Sequence, residues 1–243
     1  MQFVTVSHGK NGFPMKFEFV LIDLDDTILD FHKAERIALE NTLRHYGVEP
    51  TTETVALYKD INQAHWRALE QGKMTRKQVN EGRFEVLFQQ LGKEVNGAIC
   101  AAYYLSQLAL THDYLPGAEE VVQRLSKQYR LFIASNGNTA VQTPRMANSG
   151  LNDYIEKAFI SEALGANKPS KAYFDLCFAQ IPGFDHKKAI MVGDSLTSDM
   201  QGGINAGIRT CWFNPSRKPN TTDIRPDHEI EALSELEALL EAL

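Results

Sequence analysis

Three carboxylates fall within four residues at Asp23-Leu24-Asp25-Asp26, and Thr27 follows directly. The stretch ahead of them, Phe17 to Ile22, is largely apolar and reads as a short buried strand. Like charges held this close at a strand end raise one another's proton affinity unless a cation offsets them. A bound Mg²⁺ would do so, because hard divalent cations take oxygen ligands. Residues two apart on an extended segment point the same way, so Asp23 and Asp25 can act on one substrate from one side. Taken alone, the run also fits a solvated acidic turn with a helix cap.

Two more apolar runs end in polar groups. Leu131-Phe132-Ile133-Ala134 runs into Ser135-Asn136-Gly137, and Ala189-Ile190-Met191-Val192 runs into Gly193-Asp194-Ser195, with Asp199 five residues after Asp194. Between them, Lys168-Pro169 follows a loop-like stretch. In open α/β sheets the ligand lies beyond the carboxyl ends of the strands. These groups therefore converge on one site, with Lys168 arriving from a loop.

As an ordered set, Asp23-x-Asp25-x-Thr27, Ser135-Asn136, Lys168 and Gly193-Asp194-x4-Asp199 resemble the four motifs of the haloacid dehalogenase (HAD) superfamily. The resemblance runs from about Phe17 to the C-terminus. The stretches Asn167-Lys168-Pro169-Ser170-Lys171-x-Tyr173-Phe174 and Met191-Val192-Gly193-Asp194-Ser195-x3-Asp199-x2-Gly202-Gly203-x-Asn205-Ala206-Gly207 are most similar to one branch. That branch is the bacterial pyrimidine 5′-nucleotidases, which dephosphorylate nucleoside monophosphates.

The resemblance implies a Mg²⁺-dependent phosphomonoester hydrolase that works through an aspartyl-phosphate intermediate. Its substrate is then a small phosphorylated metabolite, a nucleoside 5′-monophosphate with pyrimidines preferred. Carried over residue by residue, Asp23 is the nucleophile, and Asp25 is first the general acid and then the base. Ser135, Asn136 and Lys168 bind the phosphoryl group. Asp23, the backbone carbonyl of Asp25 and Asp194 are the metal ligands. Thr27 hydrogen-bonds in the loop and helps to orient the nucleophile, and Asp26 caps or forms turn bonds. Asp199 either orients Lys168 or is a helix first-turn carboxylate favoured by the macrodipole. Three other readings share the core: a sugar-phosphate phosphatase or phosphosugar mutase, a haloacid dehalogenase, and a non-catalytic binding module. Dehalogenation needs neither the second aspartate nor the metal, and a binding module would fit best if one of Asp23, Asp25, Lys168 or Asp194 were missing.

The elements that must hold these groups can be read from periodicity. After the first strand, the pattern from Phe31 to Leu110 is helical. Phe31, Ala34, Ile37, Ala38 and Tyr46 recur at helical spacing up to Gly47, and Thr75-Arg76-Lys77-Gln78 is a capping box opening a helix that Gly92 ends. A further helix is expected over Val95 to Ala109. From Pro116, placed in a helix first turn, strands and helices alternate: strands at Arg130–Ser135, Lys157–Ile160, Lys188–Gly193 and Ile208–Phe213, and helices at Thr139–Ser149, Lys171–Gln180 and Leu196–Ala206. A last helix carries Leu233, Leu236, Leu239, Leu240 and Leu243. Repeated β-then-α units predict a parallel sheet with helices on both faces. The fold class is thus α/β, a Rossmann-like parallel-sheet core with an inserted all-helical cap domain, the role of lid coming from the resemblance. The expected boundaries are a flexible extension over residues 1–15, a core over 16–30 and 111–243, and a cap over 31–110. Within the insert, Trp66, Arg67, Lys73, Met74, Arg76 and Arg83 form an aromatic and basic set able to stack on a base or hold a sugar. The same residues also suit ordinary amphipathic helices.

Composition limits the partners. Of the 243 residues, 43% are hydrophobic and 23% charged, as in ordinary globular chains. The formal charge of −6 with no basic run argues against a duplex-binding surface, so no nucleic-acid polymer is expected. No run is long enough to span a bilayer, and no signal peptide is evident, so no membrane partner is expected. Cys100, Cys177 and Cys211 are dispersed and odd in number, which suggests buried free thiols in a reducing cytoplasm. A monomer and a homodimer both fit.

Overall fold

The computed structural model describes residues 17–71 and 73–242. The expected extension over residues 1–15 and the terminal Leu243 lie outside them. The chain divides into two compact units. Of the described residues, one takes in Phe17–Phe31 and His112–Ala242, and the other lies within His32–Thr111.

The first unit is built on a six-stranded sheet of β1 (Phe19–Ile22), β2 (Arg130–Ser135), β3 (Lys157–Ile160), β4 (Ala189–Gly193), β5 (Arg209–Phe213) and β6 (His228–Ile230). Every pairing is parallel, and the spatial order is β3-β2-β1-β4-β5-β6. Strands covered on both faces are apolar at successive positions, and the side chains sort by alternation. Val20, Ile22, Leu131, Ile133, Ile190 and Val192 join one core layer. Phe19, Leu21, Phe132, Ala134, Ala189 and Met191 join the other. The first layer is packed by α5 (Ala118–Leu125) and α10 (Glu235–Ala242) through Val121, Val122, Leu125, Leu236 and Leu240. The second is packed by α8 (Lys171–Phe178) through Tyr173, Phe174, Cys177 and Phe178. α9 (Gln201–Ala206) brings Gly203 against the sheet and Gly202 against α8: a Cβ on Gly203 would lie 2.6 Å from Thr210 Cγ2, and one on Gly202 2.6 Å from Phe174 Cε2.

Register places the strand ends together. Ile22 is level with Ile133 on one side and Val192 on the other. Asp23, Ser135 and Asp194 therefore emerge at one end of the sheet, around β1. The strand order reverses at β1, and such a reversal is where open parallel sheets bind ligands.

The segments flanking the second unit are tied within the first. Asp30 N donates to Asp113 O at 2.9 Å and Leu115 N to Ile28 O at 2.8 Å, and Leu29 bridges Tyr114. α5 opens at Ala118 after Gly117, whose φ is +75°. Pro116 thus precedes the helix instead of sitting in its first turn, because the left-handed Gly117 turns the chain into it.

The second unit is helical: α1 (Phe31–His45), α2 (Thr52–Glu70), α3 (Arg76–Gln90) and α4 (Gly97–Leu108). α3 opens with the expected capping box, in which Thr75 Oγ1 accepts from Gln78 N while Gln78 Oε1 accepts from Thr75 N at 2.8 Å. α2 also has a capped start, with Thr51 Oγ1 accepting from Thr54 N. The interior of this unit is Tyr58, Phe84, Leu87, Phe88, Cys100 and Tyr104, all fully or almost fully buried.

Candidate active site

Lys168 is the centre of the site, although only 4% of it is exposed. Its ammonium uses three hydrogens on three acceptors: Asp23 Oδ1 at 2.5 Å, Asp199 Oδ1 at 2.7 Å and the Ala134 carbonyl at 2.5 Å. Asp199 is fully buried in a π-helical turn, Leu196–Met200, and its other oxygen accepts from Ser195 N at 3.1 Å. Gly193 makes room for it, since a Cβ there would stand 2.2 Å from Asp199 Oδ2. The Trp212 indole holds the Asp194 carbonyl at 2.9 Å.

Carboxylate oxygens of Asp23, Asp194 and Asp199 lie within 4.8 Å of one another. Burial is the main reason the Asp194 carboxyl is pushed up to about 7, with Asp199 and Asp26 pushing the same way and Lys168 opposing. Burial likewise raises Asp23 well above the carboxylate range; Lys168 pulls it down, while Asp199, Asp194 and Asp25 add to the rise. Burial disfavours the charge on Lys168, but Asp199 and Asp23 outweigh it and hold the ammonium more firmly than in an ordinary lysine. With all three carboxylates ionised they face one ammonium and leave the cluster two negative charges from neutral, and burial raises the proton affinity of Asp23 and Asp194 where no cation offsets that charge. A hard dication bound through oxygen fits that donor set and that deficit. Asp23 and Asp194, both expected as ligands, are in this trio. The third member is Asp199, which the sequence reading placed as an orienter of Lys168 or a first-turn carboxylate.

The Asp25 side chain is not in the trio. Its Oδ1 accepts from Arg145 Nη1 and its Oδ2 from Gln142 Nε2 at 2.5 Å. Both donors sit on α6 (Thr139–Asn148), three residues apart and so on one helical face. Neither was singled out from the sequence, because an arginine one residue after Pro144 gives no sign of being buried. The one local signal is their place in the first helix after Ser135-Asn136-Gly137.

Ser135 is buried at the end of β2, its Oγ accepting from Gly137 N at 3.1 Å and Gln142 Nε2 at 3.3 Å. Asn136 turns its side chain to the loop that carries Lys168. Its Oδ1 accepts from Lys168 N at 2.8 Å, and its Nδ2 donates to Lys168 O at 2.9 Å and Ser198 Oγ at 3.2 Å. With the amide committed on both sides, the Asn136 side chain fixes Lys168. Asp26 has φ +57° and its Oδ1 accepts from Phe31 N at 3.0 Å, as a turn and helix-start residue. Thr27 differs from expectation. Its hydroxyl is buried with no hydrogen-bond partner among the described residues, and backbone bonds from Ile28 N and Leu29 N to Leu24 O close the loop.

In the helical unit, Arg83 is 4% exposed, inside the core and not on a surface. Its guanidinium lies 4.9 Å from the Tyr104 ring centroid and 5.1 Å from that of Phe84, and donates to Asn62 Oδ1 at 2.8 Å. Trp66 is half-buried beneath Arg76, at 5.8 Å, and Lys73 is exposed. Burial pushes Cys100, Cys177 and Cys211 up to about 12, so all three are thiols. Among the described residues no helix is long and apolar enough to cross a membrane.

Comparison with known proteins adds to this geometry. A family profile described as haloacid dehalogenase-like hydrolase matches residues 20–213. The chain is 41% identical to the HAD-hydrolase YfnB of Bacillus subtilis, over 93% of this chain and 96% of that protein. The crystal structure of YfnB bound to magnesium superposes with a TM-score of 0.89, covering 93% of this chain and 99% of that one. The pyrimidine 5′-nucleotidase PynA of Streptococcus pneumoniae is 40% identical over 91% of this chain and 94% of its own length. The pyrimidine 5′-nucleotidase YjjG of Escherichia coli is 33% identical over 93% and 99%.

Proposed function

This chain belongs to the haloacid dehalogenase-like hydrolase family, and from that premise we propose that it hydrolyses phosphomonoesters, with pyrimidine nucleoside 5′-monophosphates as its substrates. The observation that carries the reaction is the three-way bonding of Lys168 beside a trio of carboxylates at the switch point of the sheet. What supports the substrate is the nucleotidase naming of two relatives that align along nearly the whole chain.

Asp23 is the nucleophile. Its carboxylate forms the O–P bond as the ester P–O bond breaks, and Lys168 fixes the carboxylate and offsets charge on the transferring group. Asp25 gives a proton to the departing oxygen. In the second half, Asp25 takes a proton from water as the water oxygen attacks phosphorus and the bond to Asp23 breaks. The sum is ester plus water to alcohol plus inorganic phosphate. The Ser135 hydroxyl, accepting two bonds, keeps its own proton to donate to a phosphoryl oxygen. Asp23 and Asp194, with Asp199 beside them and the Asp25 carbonyl expected from the family motif, would hold Mg²⁺. When bound, the metal supplies positive charge to phosphate oxygens.

Selectivity then belongs to groups beyond the phosphate pocket, which reads only the common anion. The helical unit acts as the cap, and Trp66, Lys73 and Arg76 are its candidates for base and sugar contacts. A cytoplasmic setting suits the three buried thiols. The test is a phosphate-release screen over nucleoside monophosphates and sugar phosphates, with and without Mg²⁺. UMP, dUMP and dTMP are expected to lead in kcat/KM. Hexose phosphates ranking first would refute the substrate assignment alone, and absence of phosphate release from every ester would refute the reaction.

A further inference from the structure

A carboxylate that serves as acid and then as base must keep one orientation through both halves of the reaction, yet Asp25 sits on a loop. Its side chain is not left to choose a rotamer. Arg145 and Gln142 each take one of its oxygens, and Arg145 Nη1 also donates to Gln142 Oε1 at 2.9 Å, closing a three-membered ring of side chains. Gln142 Nε2 extends the ring to Ser135 Oγ at 3.3 Å. Phe31 lies against the guanidinium at 5.8 Å.

The ring is built at a cost. Arg145 is fully buried and Gln142 is 1% exposed. The Asp25 side chain is 25% exposed but the guanidinium is not, and an ion pair with a fully buried member is seldom more stable than apolar residues of the same volume, so packing alone does not account for it. The chain also gives up a side chain for it: a Cβ on Gly137 would stand 2.3 Å from Gln142 Nε2. Each carboxylate oxygen has two lone-pair sites. The clamp occupies one on each oxygen and leaves the second to carry or receive a proton.

We propose that Gln142 and Arg145 are positioning residues that lock Asp25 in its acid–base orientation and couple it, through Ser135, to the phosphate pocket. This rests on the phosphatase reading above, in which Asp25 protonates the leaving oxygen. The lock matters most where the leaving group needs a proton. A nucleoside leaves as an alkoxide and needs one; p-nitrophenol leaves without one.

The experiment compares kcat/KM for UMP and p-nitrophenyl phosphate in the wild type, Asp25→Asn, Arg145→Met, Arg145→Lys and Gln142→Met. kcat/KM reports the steps through formation of the aspartyl phosphate. General acid catalysis contributes about 10²–10⁴-fold, so Arg145→Met is expected to lose about 100-fold or more on UMP and less than about 10-fold on p-nitrophenyl phosphate. Arg145→Lys restores part of the UMP rate, and Gln142→Met shifts the substrate ratio in the same direction. Gln142→Met, which removes no charge, decides the matter if Arg145→Met does not fold. Should Asp25→Asn leave the ratio unchanged, the acid assignment of Asp25 fails. Should Asp25→Asn shift the ratio while the folded Arg145 and Gln142 variants lower both substrates equally, or neither, the positioning role is overturned and the acid assignment stands.

Discussion

Both units of this protein bury a cation, and they surround it differently. In the α/β unit, Lys168 and Arg145 meet carboxylates: Asp23 and Asp199 for the first, Asp25 for the second. In the helical unit, Arg83 meets the faces of Tyr104 and Phe84 and the neutral amide of Asn62. The aromatic box and one amide hold this guanidinium by its faces and one Nη1 bond, and its Nε stays buried without a hydrogen-bond partner among the described residues. A lysine beside a carboxylate trio that remains two charges from neutral is organised for further ligands. Burial of a charge does not by itself mark a reactive site. What marks it is an excess of charge that the protein itself does not cancel, placed where strand ends open to a ligand.

The harshest test of that contrast is metal removal. EDTA is expected to bring phosphate release to background, and Mg²⁺ to restore it. Mg²⁺ should also raise the Tm of the EDTA-treated protein, by the equivalent of about 2.7 kcal/mol at a hundredfold excess over Kd. Full turnover in chelated protein, with a Tm indifferent to Mg²⁺, would show that the acidic trio is not a metal site. Next in size is Lys168→Met. Leaving buried carboxylates without their partner costs about 3–5 kcal/mol, and loss of the charge should depress kcat/KM for every phosphate ester by about 10²-fold or more. A denaturant melt and the same substrate panel check both, and a variant that lowers only some substrates would contradict the role. The smallest effect belongs to Arg83→Met. Exchanging the boxed guanidinium for an apolar side chain should move stability by no more than about 2 kcal/mol. It should also leave kcat/KM within about threefold for all substrates, as a core residue not in contact with substrate would. A selective loss on pyrimidine nucleotides would move Arg83 back among the substrate contacts.

Much of this was legible in the sequence, for reasons that differ by element. β2 matches its expected range and β4 falls within one residue, because strands buried on both faces write themselves as continuous apolar runs with polar ends; β3, an edge strand buried only at Phe159 and Ile160, matches its range too. β6 was not seen; three residues at the sheet edge, His228–Ile230, carry no pattern. The long α2 was not separated within the helical stretch, although Thr51 marks its start. The residues Asp23, Asp25, Ser135, Lys168 and Asp194 stood out because their types and spacing are chemical. Arg145 and Gln142 did not, since only the packing of α6 against the end of β2 gives them their partner. Arg83 misled in the other direction: an arginine on an amphipathic helix reads as surface, and the aromatic box that buries it is assembled from α2, α3 and α4.

In the proposed reaction the phosphoryl group passes to Asp23. The direct measurement is to mix the enzyme with UMP and Mg²⁺, quench in acid on the millisecond scale and map the phosphorylated peptide by mass spectrometry. Phosphate is expected on Asp23 in the wild type and none in Asp23→Asn, whose phosphate release falls by at least about 10³-fold while its fold is retained. Phosphate carried by another residue, or an Asp23→Asn variant that turns over near the wild-type rate, would contradict this assignment.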